Sequence, residues 1–131
     1  MNETLTIHQQ NYAREIRRAS YRKLESAFDL SARAHQLPPL EKDYPFDRPD
    51  SDMELDRAHV PSKVGVEIQG GIWMKGGAHS LPSNIERDIR KFNAAQMKGW
   101  LLILLTARTA EDGSGAVLVK NAIENRLNRD S

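Results

Sequence analysis

The sequence predicts a mixed α/β domain whose elements run helix, strands, helix, strand, helix. Three observations predict it. Apolar residues recur at helical spacing between Tyr12 and Ala34, and strict alternation marks Lys63 to Gln69. A nearly unbroken apolar run, Trp100 to Thr106, then follows a helix that a glycine stops.

In the first helix Ile16, Ala19, Ala27 and Phe28 share the apolar pattern, with charges between them. His35-Gln36-Leu37-Pro38-Pro39 ends it, because proline pushes the residue before it out of the α region. Leu40 to Ser51 reads as a loop with a short strand near Tyr44. Met53 to His59 and Lys63 to Gln69 read as strands. In the second, Val64, Val66 and Ile68 face one side while Gly65, Glu67 and Gln69 face the other. Ser83-Asn84-Ile85-Glu86 fits a capping box that starts the next helix, and Gly99 follows Lys98 as a C′ residue would. Trp100 to Thr106 suits a strand buried on both faces. After a Gly-Ser-Gly turn, Ala116 to Leu127 forms a closing helix with Val119, Ile123 and Leu127 aligned.

The 131 residues fit a single domain (1–131), with residues 1–11 read as a flexible N-terminal tail. Hydrophobic content of 39% and charged content of 28% are ordinary for a globular chain. A net charge of +1 carries no mandate for nucleic acid. Its distribution says more: Arg14, Arg17, Arg18, Arg22 and Lys23 crowd one segment, and Arg87, Arg90, Lys91 and Lys98 another. Either cluster also reads as a solvated helix face. With no cysteine, disulfides and thiolate metal sites are excluded. The longest apolar run, Trp100 to Leu105, is too short to span a membrane, and a cytoplasmic location is expected.

Chemistry enters with the carboxylates. If the two strands pair through a turn centred on Pro61-Ser62, Asp56 lies opposite Glu67. Opposed residues share a face, with Cβ atoms roughly 4.5–5.5 Å apart. Two like charges that close repel unless a cation or proton sits between them, and Mg²⁺ with oxygen ligands is the natural occupant. On this ground removing Asp56 relieves repulsion and leaves the fold intact. The competing account is a slipped register that leaves Asp56 an ordinary surface residue near a turn.

On the second helix, Ile85, Asp88, Phe92 and Ala95 share a stripe, which sets Asp88 on an apolar face. A carboxylate there needs a charged or hydrogen-bonding partner, unless it sits at the stripe's edge and favours the helix N-terminus. His79 lies a few residues upstream, and a His79–Asp88 pair would orient the imidazole as a general base. Trp100 reads as core. Trp73 could cap the core or stack on a base.

These residues, in this order, carry a resemblance. Leu24-Glu25 comes first, then Leu37-Pro38-Pro39 ahead of Tyr44-Pro45-Phe46, then Leu55-Asp56 with Ala58 and Pro61. VGVEIQGGIW follows, then Gly77 and His79, ERDIRKFNAAQMKGW, and SGAVL. From about Leu24 to Leu127 the chain resembles phage- or prophage-type endonucleases of the PD-(D/E)xK superfamily. The branch is that of very-short-patch repair and EDxHD homing endonucleases. The resemblance implies a restriction-endonuclease-like core and an enzyme that hydrolyses DNA phosphodiesters with Mg²⁺, for which Mn²⁺ can substitute. It implies that Asp56 binds metal, with Glu67 as the second ligand the hairpin register adds. Glu25 would help hold the attacking water. Glu67 and Gln69 stand at the E-x-K positions, His79 is the catalytic histidine, and Asp88 supports His79 or the water shell. Arg18, Arg22, Trp73, Lys75 and Lys91 are the candidate DNA contacts. The chain departs at Gln69, where many members carry lysine, which leaves that cation to His79, to Lys75 or to nothing. It departs also at Ala78 and Leu104, where basic residues are expected. Two other readings remain: a non-catalytic nucleic-acid-binding or scaffolding protein, and a junction-resolving nuclease. The long basic first helix could serve as a homodimer interface or as a DNA contact.

Overall fold

The computed structural model describes residues 6–69 and 82–129. Among the described residues the elements follow in the order α1 (Ile7–Ala34), β1 (Glu41–Tyr44), β2 (Leu55–His59), β3 (Val64–Gln69), α2 (Pro82–Met97), β4 (Leu101–Thr106), α3 (Ala107–Glu111) and α4 (Ser114–Arg129). The strands form one mixed sheet in the order β1-β2-β3-β4. The first three are antiparallel neighbours, and β3 pairs with β4 in parallel. Parallel neighbours need a crossover, and α2 provides it.

Alternation in β3 divides the interior. Val64, Val66 and Ile68 pack with Phe28 of α1, Leu105 of β4, and Val119 and Ile123 of α4. On the opposite face Ala58, Leu55, Trp100 and Leu102 pack with Ala95 and Phe92 of α2. Of the predicted α2 stripe, Ala95 is buried and Phe92 packs partly buried against the same cluster.

Both long helices before the last strand end in the same way. After α1, the Leu37 N–H donates to the Ala32 carbonyl and the Gln36 N–H to Arg33, with Gln36 at φ 59°. After α2, the Trp100 N–H donates to Ala95 and the Gly99 N–H to Gln96, with Gly99 at φ 83°. Each is a Schellman closure, in which a left-handed residue lets two orphan carbonyls find donors. Gly99 thus does what its position predicts. Gly115 is required for another reason: a Cβ there would stand 2.7 Å from the Thr109 carbonyl oxygen.

Four expectations change. The helix starts at Ile7 rather than near Tyr12, because the Thr6 hydroxyl accepts from the Gln9 N–H and the Gln9 side chain accepts from the Thr6 N–H. Residues 7–11 are thus helix and not tail. Pro82 opens α2 one residue ahead of the expected cap Ser83, and the side chains of 82–84 lie outside the described residues. A short helix, α3, precedes the closing one. β4 is an edge strand among the described residues, so Leu101 and Leu104 are 37% and 44% exposed rather than buried on both faces. An apolar run reports what a strand is made of, not how many neighbours it has.

Candidate functional site

The β2–β3 register is the one that the Pro61-Ser62 turn predicts: His59 opposes Val64, Ala58 opposes Gly65 and Arg57 opposes Val66. One residue further, Asp56 and Glu67 come together, but the backbone ladder stops. The Asp56 N–H donates to Glu67 Oε2 at 2.8 Å, and the Ile68 N–H donates to Asp56 Oδ2 at 2.8 Å. Two carboxylates replace the carbonyls that would continue the sheet. The β1–β2 register adds a third. Between Lys42↔Arg57 and Tyr44↔Leu55, Asp43 falls opposite Asp56, with its own backbone at φ 50°.

α1 braces this row from below. Tyr21, Glu25 and Asp29 recur every four residues and so share one helix face. The Tyr21 hydroxyl donates to Asp56 Oδ2 at 2.5 Å. Burial, then the charge and hydrogen bond of Asp56, hold the phenol above its ordinary pKa, so it remains a donor. Arg57 is only 3% exposed on its side chain and spends all its forks inside. Nε and Nη2 donate to the two oxygens of Asp29 at 2.8 Å each, while Nη1 donates to Glu25 Oε1 at 2.8 Å and to the Asp56 carbonyl at 2.6 Å. Burial opposes its charge, but the bonds to Asp29 and Glu25 outweigh it and keep the guanidinium protonated.

From the other side α2 contributes Lys91 and Asp88. Lys91 Nζ forms an ion pair with Glu67 Oε1. Burial and the nearby charge of Asp56 push the Glu67 carboxyl up to about 7, against the pull of Lys91. Burial likewise raises Asp88, partly offset by Lys91 and Arg87. Its Oδ2 is buried and has no hydrogen-bond partner among the described residues. A cleft of about 360 Å³ joins Asp43, Asp56, Arg87, Asp88 and Lys91.

One oxygen each of Glu25, Asp43 and Asp56 lies within 4.8 Å of the others. Three hard oxygen donors on α1, β1 and β2 match what a divalent cation such as Mg²⁺ takes from protein. Asp56 belongs to this group, as does Glu25. Glu67, the other predicted metal residue, is committed instead to the Asp56 N–H and to Lys91. Of the remaining predicted residues, Asp88 and Lys91 line the cleft. Arg18 and Arg22 lie exposed on α1, where with Arg14 they border a surface hollow beside Tyr21. His79, Trp73, Lys75 and the side chain of Gln69 lie outside the described residues. The cation beside Glu67 is Lys91, which the sequence placed among DNA contacts.

Sequence reasoning missed Asp43, Tyr21, Asp29 and Arg57. The four-residue spacing of Tyr21, Glu25 and Asp29 was a usable signal. No known protein family, curated protein or solved structure matches the chain.

Proposed function

We propose that the protein is a Mg²⁺-dependent DNA endonuclease or nickase with a restriction-endonuclease-like core. The observation that carries this reading is the convergence of Glu25, Asp43 and Asp56, with Glu67 and Lys91 beside them, where the sheet ladder opens. The order of elements, three antiparallel strands and then a helix crossing to a parallel fourth, supports it.

Glu25, Asp43 and Asp56 would hold a divalent cation, which when bound would supply Lewis acidity toward a phosphate and toward water. The chain's own groups do the rest. Tyr21 and the Ile68 N–H fix the Asp56 carboxylate, so its free oxygen keeps one orientation. Arg57 offsets the charge of Glu25 and Asp29 without leaving the sheet. Glu67, poised near neutrality, is suited to accept the proton of the attacking water, and Lys91 offsets the carboxylate's charge until it does. Arg14, Arg18 and Arg22, spaced every four residues, form a stripe for phosphate contacts. The exposed Ile7, Tyr12 and Ile16 of the same segment suit a second copy of the chain.

The test is purified protein with supercoiled plasmid in Mg²⁺, Mn²⁺ or EDTA, beside Asp56→Asn. Nicking by the wild type in either metal, absent in EDTA and in the variant, is expected. DNA binding without metal-dependent cutting would replace the enzyme with a binding module.

A further inference from the structure

Beside the carboxylates lies a second cavity of about 230 Å³, between α2 and β4. Ile89 and Phe92 line it from the helix, and Leu102 and Leu104 from the sheet. Among the described residues, Glu67, Asp88 and Lys91 supply its polar groups. The cavity lies within the β3–α2–β4 crossover unit.

Two apolar walls with a charged end fit a flat ring whose faces are greasy and whose edge is polar. The charged end narrows the choice. Asp88 offers acceptors only, and its buried Oδ2 has no partner among the described residues. Such an atom is costly unless a water, another side chain or a ligand donates to it. Lys91 offers donors only. A ring edge that matches both must carry N–H groups next to a carbonyl. Guanine has that edge, with N1–H and N2–H₂ for Asp88 and O6 for Lys91. Thymine has a single N–H between two carbonyls, and adenine has no carbonyl.

We propose that this cavity is a pocket for one unpaired guanine of the DNA substrate, recognised by Asp88 and Lys91 and held between Ile89 and Phe92 on one side and Leu102 and Leu104 on the other. The proposal rests on the nuclease reading of the adjoining site. A base swung into the cavity would set its own backbone beside the carboxylates, so that recognition and cutting share one position.

The experiment is fluorescence anisotropy in EDTA, which removes cleavage from the readout. Duplexes carry one bulged guanine, adenine, cytosine or thymine, or no bulge. About tenfold tighter binding of the guanine bulge than of the adenine or thymine bulge is expected, the scale of one good bidentate pairing. Leu104→Trp fills the cavity from its half-exposed rim. It should erase that preference while leaving affinity for the paired duplex unchanged. Asp88→Asn, which keeps the shape but exchanges an acceptor for a donor, should erase the preference too. Equal affinity for all four bulges overturns the pocket, as does a guanine preference that survives in Leu104→Trp. A protein that nicks plasmid but shows no base preference loses the pocket alone. One that neither binds nor nicks loses the nuclease reading with it.

Discussion

The two ends of the β2–β3 hairpin are built from different atoms. At the turn, His59, Ala58 and Arg57 pair residue by residue with Val64, Gly65 and Val66. There the His59 ring meets the Ser62 hydroxyl at 2.7 Å, and Lys63 closes the turn with its N–H on the Val60 carbonyl. At the other end, Asp56 and Glu67 satisfy backbone amides with carboxylates. The first end needs only geometry. The second gathers negative charge that nothing in the ladder requires, held in place by Arg57, Tyr21 and Lys91. A fold that accepts such a cost at one end of a hairpin and not at the other points to where ligand chemistry belongs.

The comparison breaks most visibly at Arg57. Arg57→Met leaves Glu25 and Asp29 facing the sheet without their cation. Removing one partner of a buried pair costs about 3–5 kcal/mol, less here because Asp29 is partly exposed. Urea unfolding should show that loss at neutral pH. A variant as stable as the wild type would mean that the guanidinium does not hold the open end together.

Asp56 gives the next effect, and here the structure revises an expectation. Charge repulsion alone makes Asp56→Ala neutral or stabilising. Yet Asp56 Oδ2 accepts from the Ile68 N–H and the Tyr21 hydroxyl, and alanine strands both donors. Such bonds to a charged acceptor contribute about 1.5–3 kcal/mol, so thermal unfolding of Asp56→Ala should come earlier than that of the wild type. Asp56→Asn keeps an acceptor and removes the charge, so without metal it should unfold later than the wild type. If both variants unfold alike, the hydrogen bonds are not what fixes Asp56.

The smallest effect is a slope. The Glu67 carboxyl is raised from 4.5 to about 7 in the folded protein, so folding favours its protonated form. Its contribution is fully present below about 4.5 and is lost as pH rises through about 7. Glu67→Gln should flatten the decline in stability across that window and leave the region below it unchanged. An unaltered pH profile would place the titrating group elsewhere.

What the sequence made legible follows from how local each signal is. The hairpin register was readable because Pro61-Ser62 fixes the turn, and the end of α2 because Gly99 can adopt a left-handed φ. Asp43 was not readable: β1 is four mostly exposed residues without alternation, and its register depends on β2. β4 reads as central because Leu101 to Leu105 are apolar, whereas its edge position is set by the order of the sheet. The exposed first half of α1 carries Ile16 and Ala19 in the helical pattern, but contact with the core starts only near Leu24. Periodicity shows that a helix can pack, and the neighbours decide where it does.

The most direct measurement is the thermal midpoint of the wild type and of Asp56→Asn, each with and without excess Mg²⁺. A ligand that binds only the folded state raises its stability by mass action. The wild type should gain stability in Mg²⁺, as Glu25, Asp43 and Asp56 exchange mutual repulsion for a shared cation, and Asp56→Asn should gain none. A wild type that Mg²⁺ leaves unmoved, or a variant that responds equally, would contradict a metal site at the open end of the hairpin.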